Sequence, residues 1–239
     1  MNNLVGILRG EIKRLIRYKI LFFGIFVSMI WILIVAFQNP PQAKDILPIL
    51  IVTDSGMMTV LLIGSSFYFE KQENTIQSLF VSPVSLSQIV IGKIIAAIFA
   101  ASVSLLLVGG FSYFFHQLDI QILKLIGMML VIVLSHTAIG FLLILTSKDF
   151  LTMLVKFSGL ILVFYAPILM ISLGMIPLSW QWIAFLSPSY AGEYLVRSCF
   201  ETASVAKQLV AFIYLALLGI GIYRFYVYPR FQINVTKGV

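Results

Sequence analysis

Asp54, in the run "IVTDSGMM", is an acid set inside a long apolar stretch. An ionised Asp near the centre of a bilayer costs about 2.5–3.5 kcal/mol on insertion scales, so such a residue must face other helices, water or a transported molecule. The alternative is a protonated or Ser55-bonded Asp that helps a local kink with Gly56. His136 stands in another apolar run and reads as a hydrogen-bonded packing residue. Neither it nor His116 has carboxylates or cysteines at metal-ligand spacing. Gly92-Lys93 is followed by Ile94, and Ser87 stands where a phosphate loop needs its first glycine, so the chain should not hydrolyse ATP itself. No H-E-x-x-H or G-x-S-x-G motif occurs, which leaves an intramembrane enzyme without support. Cys199 is the single cysteine and cannot form an internal disulfide.

The elements that hold these groups follow from composition. With 61% hydrophobic and 10% charged residues, the chain has too little polar surface to coat a water-soluble globule. A bilayer core about 30 Å thick takes roughly 20 apolar residues per helical span. Six runs qualify, approximately Ile20 to Phe37, Ile46 to Phe69, Ile89 to Phe115, Ile120 to Thr146, Phe157 to Ile176 and Gln208 to Tyr228. None alternates as a barrel strand does. The expected fold is an all-α membrane protein, one transmembrane domain over residues 1–239. Lys and Arg are retained on the cytoplasmic side. Twelve of the 16 basic residues fall on one side of these spans and four on the other, which puts both termini in the cytoplasm. The net charge of +7 is then a consequence of topology and no argument for nucleic acid. The first run has 18 residues and no A-x-A-like exit, so it reads as a retained span and not a cleaved signal peptide. Ahead of it, in residues 1–19, Leu4, Ile7, Leu8, Ile12, Leu15 and Ile16 recur at helical spacing while Arg9, Lys13, Arg14 and Arg17 take the other faces. That pattern suits a helix lying flat at the headgroup level, the alternative being an unstructured basic flank.

Between the second and third spans the chain reads "YFEKQENTIQSLFVSPVSLSQIVIGK". Phe69, Ile76, Leu79 and Phe80 fall on one helical face, with Glu70, Lys71, Glu73 and Gln77 mostly around the other, so a short amphipathic helix is expected from Glu70 to Val81. Pro83 ends it and biases Ser82 away from the α region. Ser85 and Gln88 then have the spacing of a capping box opening the third span. About a dozen residues spent on a helix presented to the cytoplasm, where a few would make a turn, suggest a docking partner.

The order of elements and this loop resemble the permeases of the ATP-binding-cassette type 2 exporter family. Glu70 or Glu73, Thr75, Leu79, Ser82-Pro83 and Lys93 match the family's loop pattern. The resemblance implies that residues 70–88 hold the coupling helix that seats in a groove of a cytoplasmic ATPase, with Glu70, Glu73, Thr75, Ile76, Leu79, Phe80, Ser82 and Pro83 as coupling residues. It further implies that the flat N-terminal helix is its companion. ATP and Mg would then be bound by the partner ATPase, with no cofactor in this chain. A second permease, either another copy or a sibling, would complete the unit in the cell membrane.

The last outer loop, residues 177–207, carries Trp180, Trp182 and Tyr190, types that favour the membrane interface. "SWQWIAFLSPSYAGEYLVRS" reads as two short helices around Ser187-Pro188, and the resemblance makes "SPSYAGEYLVR" a re-entrant outer gate that includes Ser187, Pro188, Tyr190 and Glu193. An interfacial loop packed on helix ends is the plainer reading. Gly92, Ala96, Ala100 and Ser104 recur every fourth residue and read as a close-packing stripe. Pro167 and Gly174 are positioned to bend the fifth span. The expected function is the membrane subunit of an ATP-driven exporter of hydrophobic or amphiphilic cargo such as a drug, an antimicrobial peptide or a lipid-linked molecule. The alternatives are an ion-gradient-driven transporter using Asp54 and a non-catalytic membrane assembly protein.

Overall fold

A computed structural model describes residues 2–73, 75 and 84–231, and every regular element among them is helical. Helix α1 (Asn2–Arg17) ends at an elbow where Lys19 takes the left-handed conformation (φ 57°), and α2 (Ile20–Ala36) leaves at 61°. The α3 span (Pro40–Gln72) opens on a capping box: the Asn39 side chain accepts the Gln42 N–H at 3.0 Å, the Gln42 side chain returns to the Asn39 N–H, and Pro40 occupies the first turn, where its missing N–H costs nothing. It runs through a π-helical turn, Thr53–Met57, that contains Asp54. The α4 helix (Leu86–His116) begins at the expected Ser85–Gln88 capping box, both halves of which are made. Then follow α5 (Ile122–Thr146), α6 (Phe150–Ser172), two short helices α7 (Gln181–Ala184) and α8 (Pro188–Arg197), and α9 (Val205–Phe231).

By length and hydropathy α3, α4, α5, α6 and α9 can each cross a membrane; α2, at 17 residues, makes a sixth span when taken with α1 as a bent pair. The chain is an all-α membrane protein. Four spans start earlier than apolarity alone indicates, and in the second and fifth, where the difference is greatest, polar caps set the boundaries. The second starts at Pro40 for the reason just given. The fifth starts at Phe150, where Asp149 accepts the Thr152 N–H at 2.7 Å. Lys156 therefore lies inside α6, not in a loop, and its ammonium reaches back to the Thr146 carbonyl. Gly174 does not bend the fifth span; it ends it. Its φ of 67° lets the Gly174 N–H reach Ile171 O at 3.0 Å and the Met175 N–H reach Met170 O at 2.8 Å, closing the helix in a Schellman-type turn.

In lipid the hydrophobic effect does little to bring helices together, so association rests on close packing and buried polar contacts. The interior spans are α3 and α5, each with 72% of its apolar window buried, whereas α6 and α9 have 11% and 17%. The outer faces of α6 and α9 carry Leu151, Val155, Leu162, Leu217 and Phe225, which is what lipid contact requires. Gly219 lets α9 approach the α5 backbone: a Cβ there would stand 3.1 Å from the Cα of Ser135. One apolar cluster, with Phe67, Phe141, Met153 and Phe231, fills the bundle near the end of α3; another, with Val35, Leu47, Ile132 and Leu195, fills it near the start of α3.

Candidate functional site

Where α1, the end of α3 and the start of α4 converge, four charged side chains are packed together. The Lys93 ammonium lies 2.5 Å from Glu70 Oε1 and 3.3 Å from Glu11, and Arg14 reaches Glu11 at 2.6 Å and Glu70 at 3.1 Å. Ser66, one turn before Glu70 on α3, donates to Glu70 Oε1 at 3.1 Å. Two acids and two bases balance, and Glu11, Glu70 and Lys93 are each no more than 1% exposed. Taking such charges out of water is offset only by close pairing, here concentrated on Glu70 Oε1 while Oε2 has no hydrogen-bond partner among the described residues, so the cluster favours one arrangement of its three helices. Ile7 of α1 packs on Gly92 beside it, at a distance that leaves no room for a Cβ. A second, more exposed layer lies outside: the Tyr18 hydroxyl donates to Glu73 at 2.6 Å and Arg17 stands 3.4 Å from the same carboxylate. Burial, and then the bond to Glu73, push the Tyr18 hydroxyl up to about 12.

This geometry alters the reading of the loop. Glu70 belongs to the last turn of α3 and points inward, fully buried, while Phe69 is 37% exposed, the reverse of the faces expected from the amphipathic pattern. The reason is that Lys93 and Arg14 supply countercharge on the inner side. Glu73 caps the end of α3 and is tied to the elbow. The Thr75 hydroxyl donates to the Glu70 carbonyl at 3.1 Å. Ile76, Leu79, Phe80, Ser82 and Pro83 lie outside the described residues. Nor does α1 lie free at the surface: Leu15 is buried at 1% exposure, Ile16 is 48% exposed, and the buried stripe runs Ile7, Glu11, Leu15.

Asp54 is buried at 5% exposure in the π-helical turn. Its partner is not Ser55, whose hydroxyl bonds the Ile51 carbonyl, but Ser104 of α4, which donates to Asp54 Oδ2, with Ser28 of α2 3.0 Å from the same oxygen. Ser28 and Ser104 lie 2.9 Å apart, so three spans meet at one carboxyl. Ser104 therefore has a polar role that the packing-stripe reading did not assign to it, and Ala100 lines a cavity. That cavity, of about 330 Å³, lies between α2, α3, α4 and the start of α6, with Asp54 in its wall. His136 sits behind the turn, fully buried, its Nδ1 2.9 Å from the Ile132 carbonyl and its ring 3.1 Å from where a Gly56 Cβ would be.

At the other end of the bundle α7 and α8 flank Ser187-Pro188 as expected. The Ser187 hydroxyl caps α8 by accepting the Tyr190 N–H at 3.3 Å and donates to the Phe164 carbonyl at 2.6 Å, while Pro188 takes the first turn. Trp180 and Trp182 are exposed, but Tyr190 is not an interfacial residue: it is buried at 4% exposure against Phe185 and Ile168. Glu193 pairs with Arg197 at 2.6 Å, and Arg197 also bonds the Asp45 carbonyl at 3.1 Å, tying α8 to the start of α3. Burial pushes the Glu193 carboxyl above its ordinary range against the pull of Arg197.

The sequence model of the ABC-2 type transporter family matches residues 3–200, from α1 through the whole of α8. This chain belongs to that family. Among its relatives are the fluoroquinolones export permease proteins of Mycobacterium tuberculosis strains CDC 1551 / Oshkosh and ATCC 25618 / H37Rv, each 27% identical over 143 residues. That alignment covers 58% of this chain and 59% of each relative's length.

In this ABC-2 family chain, Glu11 and Ser28 are site residues that sequence reasoning missed. Glu11 is the only acid among the basic residues of α1, and it stands four residues from both Ile7 and Leu15, on the stripe that packs inward. An acid on an apolar stripe signals a buried partner. Ser28 carries no comparable signal, since a lone hydroxyl in a span commonly bonds its own helix, as Ser28 also does to Gly24 O.

Proposed function

We propose that this ABC-2 transporter chain is the membrane subunit of an ATP-driven exporter, coupled to separate cytoplasmic ATPase subunits that bind ATP and Mg, and completed by a second permease. Both termini lie in the cytoplasm in this reading, and the cargo is hydrophobic or amphiphilic, as the export of fluoroquinolones named for its relatives suggests. The observation that carries it is the buried Glu11–Arg14–Glu70–Lys93 cluster. The segment between Gln72 and Leu86 is hung between two helices that this cluster joins to α1. A push on the segment is thereby delivered to α1, α3 and α4 together, because charges paired in a dry site move as a unit or pay the cost of separation. Leu79 and Phe80 make the ATPase contact, and α8 closes the outer end.

The test is co-purification in mild detergent followed by transport into inverted vesicles. Leu79→Asp and Phe80→Asp should each release the ATPase and abolish ATP-dependent cargo uptake, while Gln77→Asp should do neither. Full ATPase retention by Leu79→Asp and Phe80→Asp, or uptake that follows an ion gradient and ignores ATP, would overturn the reading.

A further inference from the structure

The geometry points to the cavity beside Asp54 as a binding site for a lipophilic monocation, an amine or quaternary ammonium carried on a single apolar body. This rests on the chain being a membrane transporter and adds the chemistry of a ligand and its place within one subunit. The cavity runs along α3 from Asp54 to Phe69, about 22 Å at the helical rise of 1.5 Å per residue. Its volume, about 330 Å³, is at the lower end of roughly 300–1,000 Å³ typical for small-molecule sites. Its walls are apolar for most of that length, with Leu61, Leu62, Ala101 and Leu154 among them. Lys19, Phe23 and Phe69 are exposed at one end, so the cavity opens at the α1–α2 elbow, where an amphiphile partitioned into the interfacial layer would enter.

Asp54 is the only acid among the described residues of that lining. Among the described residues it has no ion pair; the hydroxyls of Ser28 and Ser104 both bond Oδ2, and the Trp31 indole N–H lies close to the same carboxyl. None of these neighbours carries a positive charge, and a carboxyl this deep holds its own charge only beside a countercharge. A ligand ammonium supplies that charge, while its apolar body packs against the leucines of the cavity wall. The same logic sets the selectivity. A neutral analogue gains only the apolar contact, and a dication must bury its second charge among leucines or carry it to Lys19, which repels it.

The probe is radiolabelled dodecylamine, compared with dodecanol, on the full chain in lipid nanodiscs without ATPase or ATP. The parent should retain the amine at least tenfold better than the alcohol. In Asp54→Asn, a nearly isosteric change, that preference should fall to within twofold. Ala100→Phe leaves Asp54 intact but fills the cavity from the α4 side, and should weaken both ligands tenfold or more. Equal retention of amine and alcohol by the parent overturns the site, as does an unchanged amine preference in Asp54→Asn or undiminished binding in Ala100→Phe. Because no ATP or ATPase is present, a failure here leaves ATP-driven export standing, and a failure of ATPase docking leaves this site standing.

Discussion

Replacing Lys93 by Met removes one positive charge from a site where Glu11 and Glu70 are both sealed from water. The two carboxylates are then left with Arg14 alone, and breaking a buried pair in this way costs about 3–5 kcal/mol. Lys93→Met should therefore lower the thermal midpoint of the purified chain sharply. Adding Glu70→Gln restores charge balance and should recover part of the loss, a coupling that two independent sites would not show. A lysine contributing only as a surface charge would give a shift within about 0.5 kcal/mol for the single change and no recovery in the double.

At the scale of elements, the glycines distinguish contacts that can yield from those that cannot. A Cβ at Gly219 on α9 would meet the backbone of α5 at Ser135 and Leu134. A Cβ at Gly64 on α3 would meet the far end of Met153, a thioether with rotatable bonds. Gly219→Ala must separate two helices, whereas Gly64→Ala needs one methionine to change rotamer. Overpacking costs typically about 1–3 kcal/mol when the structure cannot relax, so Gly219→Ala should be destabilising by about that much and Gly64→Ala by clearly less. Detergent-solubilised thermal unfolding, monitored by aggregation, separates the two; equal effects would mean that α9 is free to shift away from α5.

Over the whole molecule, topology is the property that a labelling experiment can check. Cys199 is fully buried, and burial pushes its thiol up to about 11, so it should remain unreactive and the natural chain serves as its own background. With cytoplasmic termini, single cysteines placed at Ser179 and Thr202, both exposed, should react with an impermeant maleimide added outside intact cells, and one at Lys71, also exposed, should react only after permeabilisation. Labelling of the Lys71 position from outside would invert the orientation.

Much of this protein is a direct consequence of its sequence. Runs of about 20 apolar residues have no stable alternative to a membrane-spanning helix, since lipid offers the backbone no other hydrogen-bond partners. Ser85 with Gln88, and Ser187 before Pro188, mark helix starts because capping is a matter of four neighbouring residues, and both stand where local chemistry placed them. The same local logic was present in Asn39-Pro-Pro-Gln42 and at Asp149, where apolarity alone drew the boundary too late. What tertiary structure decided is which way each polar group faces. Glu70 turns inward because Lys93, 23 positions away, and Arg14, on a separate helix, wait there. Asp54 takes its hydroxyls from Ser28 and Ser104, 26 and 50 positions distant, and not from its neighbour Ser55. A buried polar group, charged or neutral, goes where its partner is, and that partner is chosen by how the helices pack, which no single helix's periodicity records.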